Sequence, residues 1–370
     1  MGIPQSPWNN LRYHWGSMKK LLRVSAAFAA VTLMGAGCFG GSSTIPTSGG
    51  VWESMDAGKT WQQIAAVPTA TGVGSLSDVN VTSFAIDPQD DSAIYAGTVA
   101  NGVFYSLDSG ASWQRPEEPL ARTGAVVSLA VSSKDVCTYF VAKTDRIMKT
   151  EDCGRNFNTE TYVETRTDEA ITAMALDWYD PNVLWIGNTA GDVIRSLDGG
   201  TSWTTVTHLD NKVTALAISN ADSRIILVGT KTNGLVRTED GGANWVNYEK
   251  TLKDYKASDR VYGFAQNADG SVAIMNTQYG LLVSKDKGTT WTGVSLISSS
   301  GEVEIQSLAV APDNGDLIYY GTSNTLNRST SGGSAWTTTE LPTSRAAGAL
   351  LIDPNDSSHI YLGSKVIDKD

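Results

Sequence analysis

The residues able to do chemistry gather in three polar segments of the chain. Arg115, Glu117, Glu118 and Arg122 form the first, Glu160, Tyr162, Glu164, Arg166, Asp168 and Glu169 the second, and Tyr255, Lys256 and Arg260 the third. Two carboxylates facing each other across a groove would serve glycosidic-bond hydrolysis, one as acid and one as base or nucleophile. Glu118, Glu164 and Asp168 are candidates, yet nothing in their spacing singles out a pair. Only His14, His208 and His359 are present, and no His or Cys pair has metal-ligand spacing, which argues against a zinc or redox-metal centre. A nucleophile elbow for Ser-His-Asp chemistry and a Gly-rich phosphate loop are both lacking. The set Arg115, Glu118, Arg122, Tyr162, Glu164, Arg166, Asp168, Tyr255 and Arg260 is therefore read as a recognition surface with no catalytic residue, no metal and no cofactor.

What must position these residues is a repeat. One eight-residue pattern occurs seven times: SMDAGKTW ending at Trp61, SLDSGASW at Trp113, TEDCGRNF at Phe157, SLDGGTSW at Trp203, TEDGGANW at Trp245, SKDKGTTW at Trp291 and STSGGSAW at Trp336. In the first six, a carboxylate can accept backbone N–H bonds of a tight turn; in all seven, glycine supplies positive φ and the aromatic residue covers the hairpin. Between copies lie period-two apolar segments such as VTSFAID (81–87), ITAMALD (171–177) and AGALLID (347–353), which are strands. Their third position is always small (Ser83, Ser128, Ala173, Ala215, Gly263, Ser307, Ala349), as expected of strands converging on an axis. A second strand follows each, then a pair flanking the turn. Four strands per repeat make a propeller blade.

These copies resemble the Asp-box, or bacterial-neuraminidase repeat, of sialidases, sortilins, propeller glycosidases and photosystem assembly factors, and the resemblance covers residues 50–366. It implies an all-β, seven-bladed β-propeller in which Asp56, Asp108, Asp152, Asp198, Asp240 and Asp286 are structural, Ser331 replacing the seventh. Residues 347–364 supply inner strands without a box and 50–64 a box without inner strands, so the last blade should be sewn from both termini. The family's functional face carries the loops between blades, opposite the boxes. The sialidase Phe/Tyr-Arg-Ile-Pro element is absent, and Arg195, Arg237 and Arg328 share one register, which marks them as structural. Xyloglucanases resemble the AIDPQDDSAIYAGT style of repeat more closely, but place their cleft between two propellers.

Cys137 and Cys153 fall at neighbouring points of antiparallel strands, at the start of a blade's second strand and inside the box turn after its third. An exported protein would join them as a disulfide; two buried free thiols are the alternative. Export is suggested by MKKLLRVSAAFAAVTLMGAGC (18–38), a basic start, an apolar run and small residues. Its end resembles the bacterial lipoprotein box, with Gly35 where Leu is usual and Cys38 as the acylated residue. Residues 1–37 are thus expected to be a signal peptide, 1–17 reading as an extension from a misplaced start, 38–50 a lipid-anchored tether, and 51–366 the propeller. Removing 1–37 takes the formal charge from −11 to −15, a surface that repels a phosphate backbone.

The reading that follows is a monomeric, membrane-anchored scaffold in the cell envelope that presents one propeller face to a protein or glycan partner, without binding nucleic acid. A polysaccharide-active glycoside hydrolase is the alternative. A photosystem assembly factor-like protein is a narrower one, though such factors carry a basic patch.

Overall fold

Alternation of apolar and small residues makes the segments Val81–Asp87, Val126–Val131, Ile171–Leu176, Val213–Ile218, Val261–Gln266, Ser307–Ala311 and Ala346–Asp353 the first strands of seven antiparallel sheets. The computed structural model describes residues 46–157 and 159–367, and in it the sheets form a seven-bladed propeller. Blades 1 to 6 span 81–114, 126–163, 171–208, 213–247, 261–293 and 307–340. Each is a meander of consecutive strands; blade 3, for example, runs Ile171–Leu176, Leu184–Asn188, Asp192–Ser196, Thr204–His208. In blade 1 the fourth strand shrinks to a single bridge, Tyr105 to Gln114, because Pro116 follows and has no N–H to extend the ladder.

Blade 7 is sewn from both ends of the described chain. Gly50–Ser54 pairs with Asp356–Lys365, which pairs with Ala346–Asp353, and Gln62–Gln63 forms the outer edge. A buried histidine fastens this seam. His359 Nδ1 lies 3.1 Å from Asp353 Oδ2, and its Nε2 lies 2.8 Å from Glu53 Oε1 on the N-terminal strand.

The apolar interior is divided among the seams between neighbouring blades. Ala173, Trp185 and Val193 of blade 3, for instance, pack with Val213, Ile226, Val228 and Val236 of blade 4. Four of the small third positions, Ser83, Ala173, Ala215 and Ala349, pair with a glycine that seats a valine of the next blade. Ser83 pairs with Gly97, and a Cβ on Gly97 would stand 2.2 Å from Ser83 Oγ and 2.6 Å from Val126 Cγ1 of the next blade. Gly187 against Val213, Gly229 against Val261 and Gly363 against Val81 repeat the arrangement. Small residue and glycine together make the seat for the neighbour's valine.

The boxes are mortar as well as turns. In Ser54–Trp61, Asp56 Oδ1 accepts the Thr60 N–H at 2.8 Å, Oδ2 accepts the Thr60 hydroxyl, and Ser54 donates to the carboxylate while accepting the Gly58 N–H. Asp108, Asp152, Asp198, Asp240 and Asp286 do the same with Ser112, Asn156, Ser202, Asn244 and Thr290. Three of the tryptophans reach further than their own hairpins, while Trp245 and Trp291 donate to Gly242 and Gly288 of their own boxes. Trp113, Trp203 and Trp336 donate indole N–H bonds to Ile64, Thr161 and Ser295, each on the outer part of the preceding blade. Arg195 and Arg237 likewise bond the carbonyls of Gly241 and Lys287 in the following box.

Cys137 and Cys153 are joined as a disulfide with Cα atoms 4.0 Å apart. Cys137 N–H also donates to Asp87 Oδ2 of blade 1, at 2.8 Å, so this corner is tied to its neighbour. The signal-peptide reading, and Cys38 with it, falls outside the described residues.

Candidate functional site

The box turns and the connections between first and second strands lie at one face of the ring. The opposite face, called the loop face below, carries the inter-blade loops and the turns between second and third strands. The three polar segments of the sequence lie there, in the loops from blade 1 to 2, 2 to 3 and 4 to 5. Among the described residues no hydrogen bond or ion pair joins one segment to another.

The first segment is bound up with itself. Glu118 accepts the Leu120 N–H and caps the 3-10 turn Pro119–Arg122, while Arg115 donates to the carbonyls of Asn101 and Arg122 and sits 5.2 Å from the Phe104 ring. Buried Lys143 donates to the carbonyls of Leu120 and Thr123, at 2.6 Å each, fixing the same loop from below. Arg122 and Arg260 are exposed. Tyr255 meets Tyr279 edge to face and borders a hollow of about 320 Å³ with Leu252, Lys256 and Asp259.

The second segment assembles a network that the sequence reading saw in part. Arg166 makes a two-pronged bond to Glu164 (2.8 Å from both Nε and Nη2) and reaches Asp192 Oδ2 with Nη1 at 2.8 Å. Asp192 also accepts from Asn188 at 3.1 Å and faces His208 Nδ1 at 2.8 Å, and Tyr162 donates to Glu164 at 3.2 Å. The Arg166 guanidinium holds the Glu164 carboxyl down to about 2, aided by the Arg166 N–H and Tyr162 and opposed by burial. Burial raises Asp192, but bonds from Asn188, His208 and Arg166 outweigh it and leave the carboxyl at about 2. Tyr162 is pushed up to about 12 by burial and by Glu164, and His208 is raised by its bond to Asp192. Every group is thus matched to a partner inside the cluster; Asp168 stays exposed outside it. Asn188, Asp192 and His208 belong to the second, third and fourth strands of the next blade, so linear spacing could not associate them with Glu164.

An unfilled concavity lies elsewhere on the loop face. A groove of about 390 Å³ runs between the blade 5 to 6 loop (Ile297, Glu302, Glu304) and the blade 6 turn (Thr322 to Asn324). It shares Ser323 and Ile367 with a second hollow of about 510 Å³ bordered by Thr47, Arg345 and Val366. Ile297, Val366 and Ile367 are 62%, 52% and 37% exposed. None of these residues was named from sequence; apolar side chains stranded among polar ones were the available signal. Among the described residues no group of three or more His, Cys, Asp or Glu is disposed to hold a metal ion.

Comparisons with known proteins follow the fold. No family model matches the chain. A 73-residue stretch, 19% of this chain and 8% of the relative, is 32% identical to a probable oligoxyloglucan-reducing end-specific xyloglucanase of Neosartorya fischeri. The GH74 xyloglucanase from Xanthomonas campestris superposes with a TM-score of 0.63 at 18% identity, covering 77% of this chain and 51% of that one. YCF48 bound to D1 peptide superposes with a TM-score of 0.58 at 12% identity over 79% of this chain and 94% of that one. YCF48 from Cyanidioschyzon merolae gives 0.58 at 11% identity over 81% and 98%. The chain spans about half the length of that xyloglucanase structure. At these identities the likeness shows a seven-bladed β-propeller fold.

Proposed function

We propose that the chain is a non-catalytic recognition scaffold of the cell envelope, whose loop face receives a segment of a protein partner in the groove bordered by Ile297, Asn324 and Ile367. The observation that carries this reading is the state of Glu164, a carboxylate the sequence offers for catalysis, and of Asp192 beside it. Glu164 and Asp192 are both ionised and saturated with donors, so the cluster offers neither a proton donor nor an unengaged nucleophile. A rigid closed ring lowers the ordering cost of binding at its loops, which suits a scaffold. The likeness to YCF48, whose structure holds a D1 peptide, is in keeping with a peptide-receiving face.

The test is retention of an identified envelope protein by the wild-type chain and by the double variant Ile297→Asp, Ile367→Asp. The proposal expects retention by the wild type and loss in the variant at unchanged melting temperature. Equal retention by both would remove the groove from the reading.

A glycoside hydrolase is the second reading, favoured by the 73-residue match and by the GH74 likeness. Under it, Glu302 and Glu304, which border the groove, are the carboxylates to suspect. Turnover of xyloglucan or a related β-glucan that disappears in Glu302→Gln or Glu304→Gln would establish it.

A further inference from the structure

The turn between the first and second strands of blade 3 carries two aromatic rings that the other blades lack. The two residues that open this turn are Pro88-Gln89, Ser133-Lys134, Asn220-Ala221, Ala268-Asp269, Pro312-Asp313 and Pro354-Asn355 in the other six blades, and Trp178-Tyr179 in blade 3. Closing the turn therefore requires no aromatic side chain. Its backbone is held by Asp177 Oδ1, which accepts the N–H of Tyr179 at 2.7 Å and of Asp180 at 3.3 Å, as Asp87 and Asp353 accept those of Gln89 and Asn355. Nor is an indole needed to tie one blade to the next. Trp178 Nε1–H donates to the Ser219 carbonyl at 3.0 Å, and in blade 4 the side-chain amide of Asn220 makes the equivalent bond to Asn267 at 2.8 Å.

The rings stay in solvent and are held in place. Trp178 is 41% and Tyr179 66% exposed on the box face, with ring centres 6.0 Å apart and planes at 79°. The Trp178 carbonyl accepts the Ser133 hydroxyl of blade 2, and Lys134 Nζ stands 5.3 Å from the centre of the Tyr179 ring. Lys134 belongs to a loop that is itself pinned. Ser132 Oγ accepts the N–H of Lys134 at 3.2 Å and of Asp135 at 3.0 Å, and the Cys137–Cys153 disulfide closes the loop behind them. Asp180 engages Asn182 through Oδ1. Among the described residues Lys134 Nζ, the Tyr179 hydroxyl and Asp180 Oδ2 have no hydrogen bond or ion pair, which leaves them free to meet the polar groups of a ligand. Rings and donors fixed in advance lower the ordering cost of binding.

Size and chemistry together select the ligand. The exposed parts of the two aromatic side chains amount to roughly 200 Å², well below the about 800 Å² that each partner of a stable protein complex buries. An apolar island of that area beside a cation, a carboxylate and a phenol matches a sugar ring. In a β-linked pyranose of glucose or N-acetylglucosamine every ring substituent is equatorial. Both faces then present only axial C–H bonds, which suit an aromatic face, while the hydroxyls at the edge take the free donors and acceptors. A formal charge of −11 disfavours an acidic polysaccharide. We infer that Trp178 and Tyr179 of blade 3, with Lys134 of blade 2, form a glycan-binding site on the box face that takes a neutral β-linked chain of glucose or N-acetylglucosamine units. The site stands on the face opposite the groove and does not rest on the reading of the groove, so a propeller that holds a glycan here keeps its loop face free.

Calorimetric titration of the full chain with cellohexaose and with chitohexaose tests the site. Binding of at least one is expected, weakened about tenfold or more in the double variant Trp178→Asn, Tyr179→Ala and unchanged in Ile297→Asp, Ile367→Asp. The first variant gives blade 3 the Asn and Ala with which blade 4 makes the same turn, so its melting temperature should match that of the wild type. Should it fall, Tyr179→Ala alone, which leaves the bond from Trp178 to Ser219 in place, carries the comparison. Failure of the wild type to bind either hexasaccharide, or equal binding by the wild type and the Trp178 and Tyr179 variant, overturns the inference. Binding that is lost in the groove variant and kept in the Trp178 and Tyr179 variant overturns it as well, and moves the glycan to the loop face in favour of the hydrolase reading. Retention of a protein partner at the groove is a separate assay, so either proposal fails without taking the other with it.

Discussion

Replacing His359 with Gln should weaken the sewn blade in a way that depends on pH with a definite sign. The ring sits at 9% side-chain exposure between Asp353, at 12%, and Glu53, at 21%, and spans both termini of the propeller. Burial works against the charge, but the bond and charge of Glu53, and then of Asp353, outweigh it, and His359 is raised above the usual histidine value. A glutamine can donate to one carboxylate but cannot balance two, leaving a largely buried charge without its partner. Breaking such a pair costs roughly 3 kcal/mol. With an unfolding entropy near 2.1 cal/mol/K per residue over about 320 residues, that loss corresponds to a drop of roughly 4 °C in melting temperature. A group raised in the folded state stabilises fully below its unfolded value, 6.5, and that contribution fades as pH rises through the folded value. The gap between wild type and His359→Gln should therefore be widest near pH 6 and shrink by pH 9. Calorimetric melts of both proteins across that range measure it. His208, also raised, titrates in both and cancels. A gap that is constant, or that widens towards pH 9, would refute the charged-staple account.

Three further outcomes follow from the same geometry. Reduction of Cys137–Cys153, separated by 16 residues, or its replacement by paired serines, should cost about 3 kcal/mol, read as a melting shift of roughly 4 °C in non-reducing against reducing buffer. Restoring the seventh box with Ser331→Asp and Ala335→Ser should raise the melting temperature by roughly a degree, because Ser331 Oγ accepts the Ala335 N–H and meets Ser329 Oγ at 3.4 Å but has no side-chain partner at 335; an unchanged or lowered value would mean the turn is already optimal. Glu164→Gln should lower stability at pH 5 without abolishing any turnover. Because Glu164 and Asp192 are depressed to about 2, their contribution is present above the ordinary carboxylate range and lost as pH falls through about 2, so the difference from wild type should close between pH 5 and pH 2 in denaturant melts.

The ring was legible in the chain because its signals are local and repeated. A carboxylate, two residues at positive φ and an aromatic residue within eight positions define a turn without help from elsewhere; Asp198, Gly199 (φ 69°), Gly200 (φ 91°) and Trp203 show it. Period-two strands and the unequal inventory at the two ends then imply four strands per blade and a shared last one, as found. The seat that Ser83 and Gly97 make was not legible, since the valine it holds comes from the next blade. Nor was the reach of Trp113, Trp203 and Trp336, whose N–H partners lie some forty to fifty residues earlier.

The loop face divides in the same way. Composition alone identified Glu164, Arg166 and Tyr162 as a polar group, but whether they act or merely neutralise one another depended on Asp192, Asn188 and His208, brought in by the following blade. The groove needed three elements, the 294–306 loop, the blade 6 turn and the end of the last strand, and no sequence window contains them together. Sequence by itself determined the repeat, the turn chemistry and the seven-fold ring, because each unit carries its own hydrogen bonds. Tertiary structure decided which charges are spent and where a surface stays open, because those depend on neighbours that only closure of the ring supplies.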